Sequence, residues 1–165
     1  MKKASKFLHT MGSIGLLGGI ACYIILLSVA PPMSEIESYH AIRVGIDKIA
    51  RWLLLPSLTI MLTSGLAAVA IHAAFREQRW VWCKILLGLS MFEGTLVSIQ
   101  GPAQHAAKIT AQALAGQIEV ARIPELIHDE RGALWVVGTL AVINVVLGVW
   151  RPRLKRRKLA AATAG

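Results

Sequence analysis

The chain is poor in charged residues, above all in acidic ones. Only 16% of its 165 residues are charged and 9 of them are Asp or Glu, whereas soluble globular domains carry about 25% charged residues. Hydrophobic residues make up 55% of the chain, and its mean hydropathy is +0.58. These values exclude an ordinary soluble domain and predict a membrane protein. At this length we expect a single domain covering residues 1–165.

Cysteine is scarce, and metal-binding motifs are missing from the sequence. The two cysteines, Cys22 and Cys83, fall in different apolar runs, so we expect no disulfide between them. There is no CxxC, no HExxH and no Cys/His spacing of the zinc type, which excludes the common structural zinc sites. Positive charge is abundant, at a net +9, but it is grouped at the ends of apolar runs. We therefore expect no nucleic-acid partner and interpret the charge as a topology signal.

Four apolar runs are long enough to cross a bilayer. A helix rises about 1.5 Å per residue, so roughly 20 apolar residues cross a hydrocarbon core of about 30 Å. Ser28-Val29-Ala30 resembles a signal-peptidase site, but the run before it is longer than the apolar part of a signal peptide and Pro31 follows directly. We therefore expect the first run to be retained. The sequence predicts an all-α, integral-membrane four-helix bundle, with spans at about 8–30, 52–75, 80–100 and 132–150.

Lys and Arg are distributed unequally between the two sides of these spans. Of the 18 Lys and Arg residues, 12 lie before the first span, around the turn between spans 2 and 3, or in the tail 151–165. By the positive-inside rule the richer side is cytoplasmic. The sequence therefore predicts that both ends lie in the cytoplasm and that the chain crosses the bacterial inner membrane several times. We expect the lipid bilayer, and either further copies of the chain or other membrane subunits, as its partners.

The connections between spans carry their own helical signals. Residues 31–51 form a polar connection, and apolar residues at helical spacing from Ile42 to Leu53 predict an interfacial lead-in to the second span. Gly101-Pro102 is predicted to break the third span. From Ala103 to Arg122 helix formers dominate, so we expect an extracytoplasmic helical segment between spans 3 and 4, ended by Pro124. This helix either lies outside the bilayer or extends the third span. Close helix packing is predicted at the small residues of the first span, Gly12, Gly15, Gly18 and Gly19.

Three ionisable residues are predicted at a similar depth near the cytoplasmic side. His9 opens the first span, His72 ends the second, and Lys84 lies one turn into the third. Two neutral imidazoles facing each other can hold a b-type haem in a helix bundle, and a cation nearby can pair with a propionate. The pattern indicates haem b, with His9 and His72 as iron ligands and Lys84 as a further cofactor-binding residue. In the alternative interpretation the histidines lie at the membrane interface and Lys84 extends to the headgroups.

Glu93 is the carboxyl group well inside the third span. An isolated carboxylate at membrane depth is costly, so it should be protonated or paired. One hypothesis is that Glu93, with Lys84 as the other catalytic candidate, handles protons. The alternative is a structural hydrogen bond to a neighbouring helix, for which Asn144 in the last span is a candidate partner.

Three further histidines map to the extracytoplasmic connections. Imidazoles suit copper and zinc, so a metal site shared by His40, His105 and His128 would favour a copper-handling permease. The alternative is that each is a solvated loop residue.

Several short motifs carry a resemblance to a known family. They are Lys6-Phe7-Leu8-His9, Leu55-Pro56-Ser57-Leu58-Thr59 with Thr63-Ser64-Gly65-Leu66, and Trp80-x-x-x-Lys84. Over roughly the first three spans, the chain resembles the HemJ-type protoporphyrinogen oxidases and the related CopD-like and other small four-span membrane proteins. In the HemJ-type enzymes a histidine in the first span and a lysine at the start of the third form the functional pair, which matches His9 and Lys84. The resemblance implies a haem-associated membrane oxidoreductase acting on a porphyrinogen, with His9 as a haem ligand.

The leading hypothesis is therefore a small integral membrane protein that binds b-type haem and is linked to redox or porphyrin chemistry. A non-catalytic membrane subunit or assembly factor is the first alternative, favoured by the glycine face and the scarcity of polar residues in the spans. The copper-handling permease is the second.

Overall fold

The computed structural model describes residues 2–71 and 78–150, and within those ranges its regular structure is entirely helical. Four of the helices are long and apolar enough to cross a membrane, as predicted. The predicted end of the second span at Phe75 and the basic tail 151–165 lie outside the described residues. The helices are α1 (Lys2–Ser28), α2 (Ile36–Ile71), α3 (Arg79–Leu114), α4 (Ile123–Leu126) and α5 (Arg131–Trp150), with a 3-10 turn at Val120–Arg122.

α2 and α3 are much longer than a bilayer requires. Each has 36 residues, which corresponds to about 54 Å of helix, against a hydrocarbon core of about 30 Å. The extra length lies at the same end of the bundle, where the first part of α2, Ile36–Ile49, packs along the last part of α3, Gly101–Leu114. We call these two parts the distal halves.

A π-helical segment separates each distal half from the rest of its helix. The segments are Ala50–Leu54 in α2 and Leu96–Gln100 in α3, and they contact each other. Each is followed two residues later by a proline, Pro56 or Pro102. A proline has no N–H group and its ring crowds the carbonyl four residues earlier, so a wider turn accommodates it without ending the helix. For this reason the predicted break at Gly101-Pro102 is wrong.

α3 ends earlier than the helix-forming composition suggests. Its last residue is Leu114, and Gly116 then adopts a φ of 71°. In this left-handed turn the Gln117 N–H bonds to the Gln112 carbonyl at 2.9 Å, which is a Schellman-type helix end. The predicted continuation to Arg122 is therefore wrong, and a glycine, not Pro124, ends the helix.

α2 begins well before the predicted second span. Residues 36–51 form continuous helix, whereas helical spacing was predicted only from Ile42 onward, within a polar connection. Helix forms here because residues at helical spacing are buried along one face of α2. This buried stripe includes two charged residues. The stripe consists of Tyr39, Arg43, Ile46, Asp47 and Ala50.

Glycines allow α1 to lie directly against α2. A Cβ atom added to Gly12 would lie 2.6 Å from the Ser57 carbonyl oxygen, and one added to Gly19 would lie 2.6 Å from a Leu54 methyl carbon. Gly15 likewise faces the Ser57 side chain, whereas Gly18 has open space around it. Close packing is therefore confirmed at three of the four glycines, and Gly18 points elsewhere.

Two apolar cores result from this packing. The larger one lies between α1, α2, α3 and α5, and its fully buried members include Leu16, Ile46, Leu54, Leu58, Met91 and Leu134. The smaller one joins the distal halves to the segment that leads to α5, and it consists of Tyr39, Ile109, Ala113 and Ile123.

Candidate functional site

His9 lies in the contact between α1 and α2. Its Nδ1 atom is 2.8 Å from the Met61 carbonyl oxygen. Since a carbonyl only accepts hydrogen bonds, Nδ1 carries the hydrogen, and Nε2 of the neutral ring keeps its lone pair. The ring also lies on Gly65, where an added Cβ atom would come within 3.6 Å of Cε1. A Cβ atom there would make ordinary van der Waals contact with the ring, so the half-buried imidazole packs directly against α2 at this position.

Lys84 is brought into electrostatic range of His9 by the packing of α3 beside α2 and α5. Its ammonium group donates a hydrogen bond to the Asn144 carbonyl oxygen at 3.0 Å, and it passes close over Gly148 of α5. The structure thus places two of the three predicted cofactor residues in one region. His72, the third, lies outside the described residues.

Glu93 and Asn144 do not form the pair proposed from the sequence. Glu93 is exposed on α3, whereas Asn144 is 7% exposed and faces the inside of the bundle. Glu93 forms no hydrogen bond and no ion pair with any residue in the described ranges 2–71 and 78–150. The predicted structural hydrogen bond between Glu93 and Asn144 is therefore wrong.

The three histidines predicted on the other side of the membrane do not converge. The Nδ1 atom of His40 lies 2.8 Å from the Thr110 hydroxyl oxygen. That hydroxyl donates to carbonyls of its own helix, so His40 is the donor to Thr110. His105 and His128 are exposed. Among the described residues no three His, Cys, Asp or Glu side chains form a group that could hold a metal ion, so the copper hypothesis gains no support.

A buried ionic cluster, which we define as Tyr23, Arg43, Asp47 and Glu130, lies where α1, α2 and the start of α5 meet. Arg43 binds Glu130 through two hydrogen bonds, at 2.7 Å from Nη2 to Oε1 and 3.3 Å from Nη1 to Oε2. The exposed fractions of these two side chains are 3% and 1%. Tyr23, fully buried, lies within electrostatic range of both members of the pair and of Asp47, which follows Arg43 by one helical turn.

Three polar atoms of this cluster have no hydrogen-bond partner within 3.5 Å among the residues that the structure describes. They are the Tyr23 hydroxyl, the Arg43 Nε atom and the Asp47 Oδ1 atom. Two of them can donate and one can only accept a hydrogen bond, which is a combination that bridging water satisfies. The cluster can therefore hold ordered water beside the buried Arg43–Glu130 pair.

Burial and charge act in opposite directions on Glu130. Removal from water raises the pKa of this carboxyl above its ordinary value of 4.5, and the Arg43 guanidinium opposes that rise. The negative charge of Asp129 adds to the increase. Glu130 thus holds a proton more readily than an exposed glutamate does.

The sequence interpretation missed this cluster because it assigned Arg43 and Glu130 to solvated connections. A signal was present: Arg43 and Asp47 are spaced one helical turn apart, in phase with Tyr39, Ile46 and Ala50. A charge in phase with apolar residues indicates a buried, paired group. Its partner, 87 residues further on, has no comparable local signal.

No protein-family model, curated protein or solved structure matches this chain.

Proposed function

We propose that this chain is a b-haem-binding, redox-linked protein of the bacterial inner membrane, with His9 as a haem ligand and with both chain ends in the cytoplasm. In this orientation the His9 region lies near the cytoplasmic surface. The distal halves and the buried ionic cluster lie on the extracytoplasmic side, and the excess of Lys and Arg at the opposite end supports this arrangement.

The observation that carries the proposal is the hydrogen bond from His9 to the Met61 carbonyl. Histidines that bind metals commonly donate their second ring N–H to a backbone carbonyl or a carboxylate, which fixes the tautomer and the ring orientation. Here Nδ1 is held in this way, so Nε2 is the atom available to iron. The donor chemistry of the residue therefore fits a haem.

Lys84 supplies the second feature expected beside a haem. Its ammonium group is the cation in electrostatic range of His9, and it is positioned by the Asn144 carbonyl. A cation at this place can pair with a propionate carboxylate. The proposed division of roles is that His9 binds the iron and Lys84 positions the acidic edge of the porphyrin.

When bound, haem would supply one-electron chemistry, with a potential set by its axial ligands and its surroundings. The residues of the chain contribute binding and orientation. The apolar contact of α1 with α2 around Gly12 and Gly65 keeps the imidazole fixed.

The test is an absorption spectrum of the detergent-purified protein, oxidised and then reduced with dithionite. We expect a Soret band with sharpened α and β bands on reduction, and we expect His9→Ala to abolish them. His128→Ala is the matched control, since His128 is an exposed histidine far along the chain, and it should leave the spectrum unchanged. Lys84→Met should lower haem occupancy without removing the band.

A colourless wild-type protein, isolated from cells with ample haem, would contradict the proposal and favour the membrane-subunit alternative. A Soret band that survives His9→Ala unchanged would refute the role of His9.

A further inference from the structure

We propose that two copies of the chain pair in the membrane through the outward face of α3, with Glu93 of one copy against Glu93 of the other. This inference is independent of the haem proposal, because it rests on a different helix face. We define the outward stripe of α3 as Cys83, Leu86, Ser90, Glu93 and Val97, all of which are exposed.

The phase of α3 places Glu93 opposite its buried side. Val81, Gly88, Met91 and Thr95 are the buried residues of the first part of the helix. At about 100° per residue, Glu93 points away from the mean direction of these four. The carboxyl group therefore faces outward from the bundle, away from every partner that the described part of the chain could offer.

The position of Glu93 along the helix places this outward carboxyl group deep in the bilayer. It lies thirteen residues after Trp80, the first residue of the predicted third span. That separation corresponds to about 20 Å along the helix axis. Its neighbours on the outward face are apolar, with Leu86 64%, Leu89 53% and Val97 69% exposed. An ionisable group at this depth almost always faces a protein partner or a water-filled cavity and not lipid. A surface that carries such a group is therefore expected to be covered by protein.

A second copy of the chain fits this surface because the stripe is complementary to itself. A protonated carboxyl group both donates and accepts a hydrogen bond, so two of them pair across a two-fold axis. All copies insert with the same orientation, so this axis runs along the membrane normal and the two α3 helices are parallel. The stripe residues follow one another at spacings of 3, 4, 3 and 4, which is the repeat of a parallel helix pair. Small Ser90 next to Glu93 allows close approach and offers a hydroxyl to the opposite carboxyl.

The native Cys83 provides the probe for this arrangement. It lies on the stripe and is a free, exposed thiol, so a two-fold axis along α3 brings it opposite its own copy. We would oxidise native membranes that contain the Cys22→Ser chain with copper phenanthroline and follow the product by non-reducing electrophoresis. The expected product is a band at twice the monomer mass of 17.9 kDa.

Variants of Glu93 separate a specific pair from random collision. Glu93→Gln keeps a self-complementary amide and should retain at least half of the cross-linked product, whereas Glu93→Leu should reduce it at least tenfold. Position 142 of α5 supplies the matched control, since Val142 is 54% exposed on another helix. Val142→Cys in a chain with Cys22→Ser and Cys83→Ser should give less than a tenth of the Cys83 product.

Labelling with dicyclohexylcarbodiimide gives a second measurement that does not depend on cysteine. A carboxyl group facing lipid reacts with this apolar reagent, so Glu93 buried in a pair should be protected in native membranes and react when detergent separates the copies. Ready labelling of Glu93 in native membranes would overturn the proposal. Equal cross-linking of the wild-type and Glu93→Leu chains would also overturn it, as would a Cys83 adduct with a protein of different mass.

Discussion

The buried pair of Arg43 and Glu130 allows a quantitative prediction about stability. Glu130→Leu removes the two carboxylate oxygens that accept hydrogen bonds from the Arg43 guanidinium at 2.7 and 3.3 Å. Arg43 is only 3% exposed, so water cannot readily replace them. Removal of one partner of a buried ion pair costs about 3–5 kcal/mol, because the remaining charge stays buried without compensation. We therefore expect Glu130→Leu to lower the free energy of unfolding by about 4 kcal/mol. The measurement is unfolding in detergent micelles with a graded denaturant, followed by circular dichroism.

Two further variants identify the origin of this loss. Glu125→Leu changes an exposed glutamate nearby and should alter stability by less than about 0.5 kcal/mol. The double variant with Arg43→Met and Glu130→Leu removes both charges, and a buried ion pair replaced by apolar residues is often neutral in stability. We therefore expect the double variant to recover to within about 1 kcal/mol of the wild type. The reasoning would be refuted by a single variant as stable as Glu125→Leu, or by a double variant less stable than either single one.

Three other outcomes follow from the structure. Since the folded state raises the pKa of Glu130 above 4.5, its protonation favours folding, and a protonated carboxyl group, unlike a leucine side chain, keeps an acceptor oxygen for Arg43. Its contribution is present below pH 4.5 and is lost as the pH rises through the raised pKa, so Glu130→Gln should flatten stability measured against pH over that range. Gly12→Ala places a Cβ atom 2.6 Å from a backbone oxygen of α2 and should lower the free energy of unfolding by about 1–3 kcal/mol. Gly18→Ala, with nothing within 4 Å of the added Cβ atom, should be neutral or stabilising. Thermal unfolding measures both variants. Thr110→Val removes the acceptor of His40 and should cost about 1 kcal/mol, measured by denaturant unfolding.

The number and order of the spans could be predicted because hydropathy alone decides which segments enter a bilayer. The proximity of His9 and Lys84 could also be anticipated, since both lie about one turn inside the same ends of their spans. The tautomer of His9 could not, because it depends on the Met61 carbonyl, which is 52 residues away. The outward direction of the Glu93 side chain could not be predicted either. Its span is apolar nearly all round, so the sequence pattern does not define an inner face.

The long helices show where local signals mislead. Pro56 and Gly101-Pro102 are helix breakers by composition, yet both helices continue past them through π-helical turns. Whether a proline ends a helix depends on what lies on either side of it in three dimensions. Here the distal halves pack against each other and bury Tyr39 and Ile109, so continuation of both helices is favoured.

The separation of Arg43 from Glu130 along the chain has a consequence for biogenesis. The glutamate is synthesised 87 residues after the arginine, which at about 5–20 residues per second corresponds to a delay of roughly 4–17 s. During that interval Arg43 lacks the carboxylate that binds it in the complete bundle. Glu130, which directly precedes the last helix, then supplies this carboxylate. A chain cut short before Glu130 would keep the Arg43 guanidinium without the carboxylate that binds it, and this unpaired charge distinguishes an unfinished molecule from a complete one.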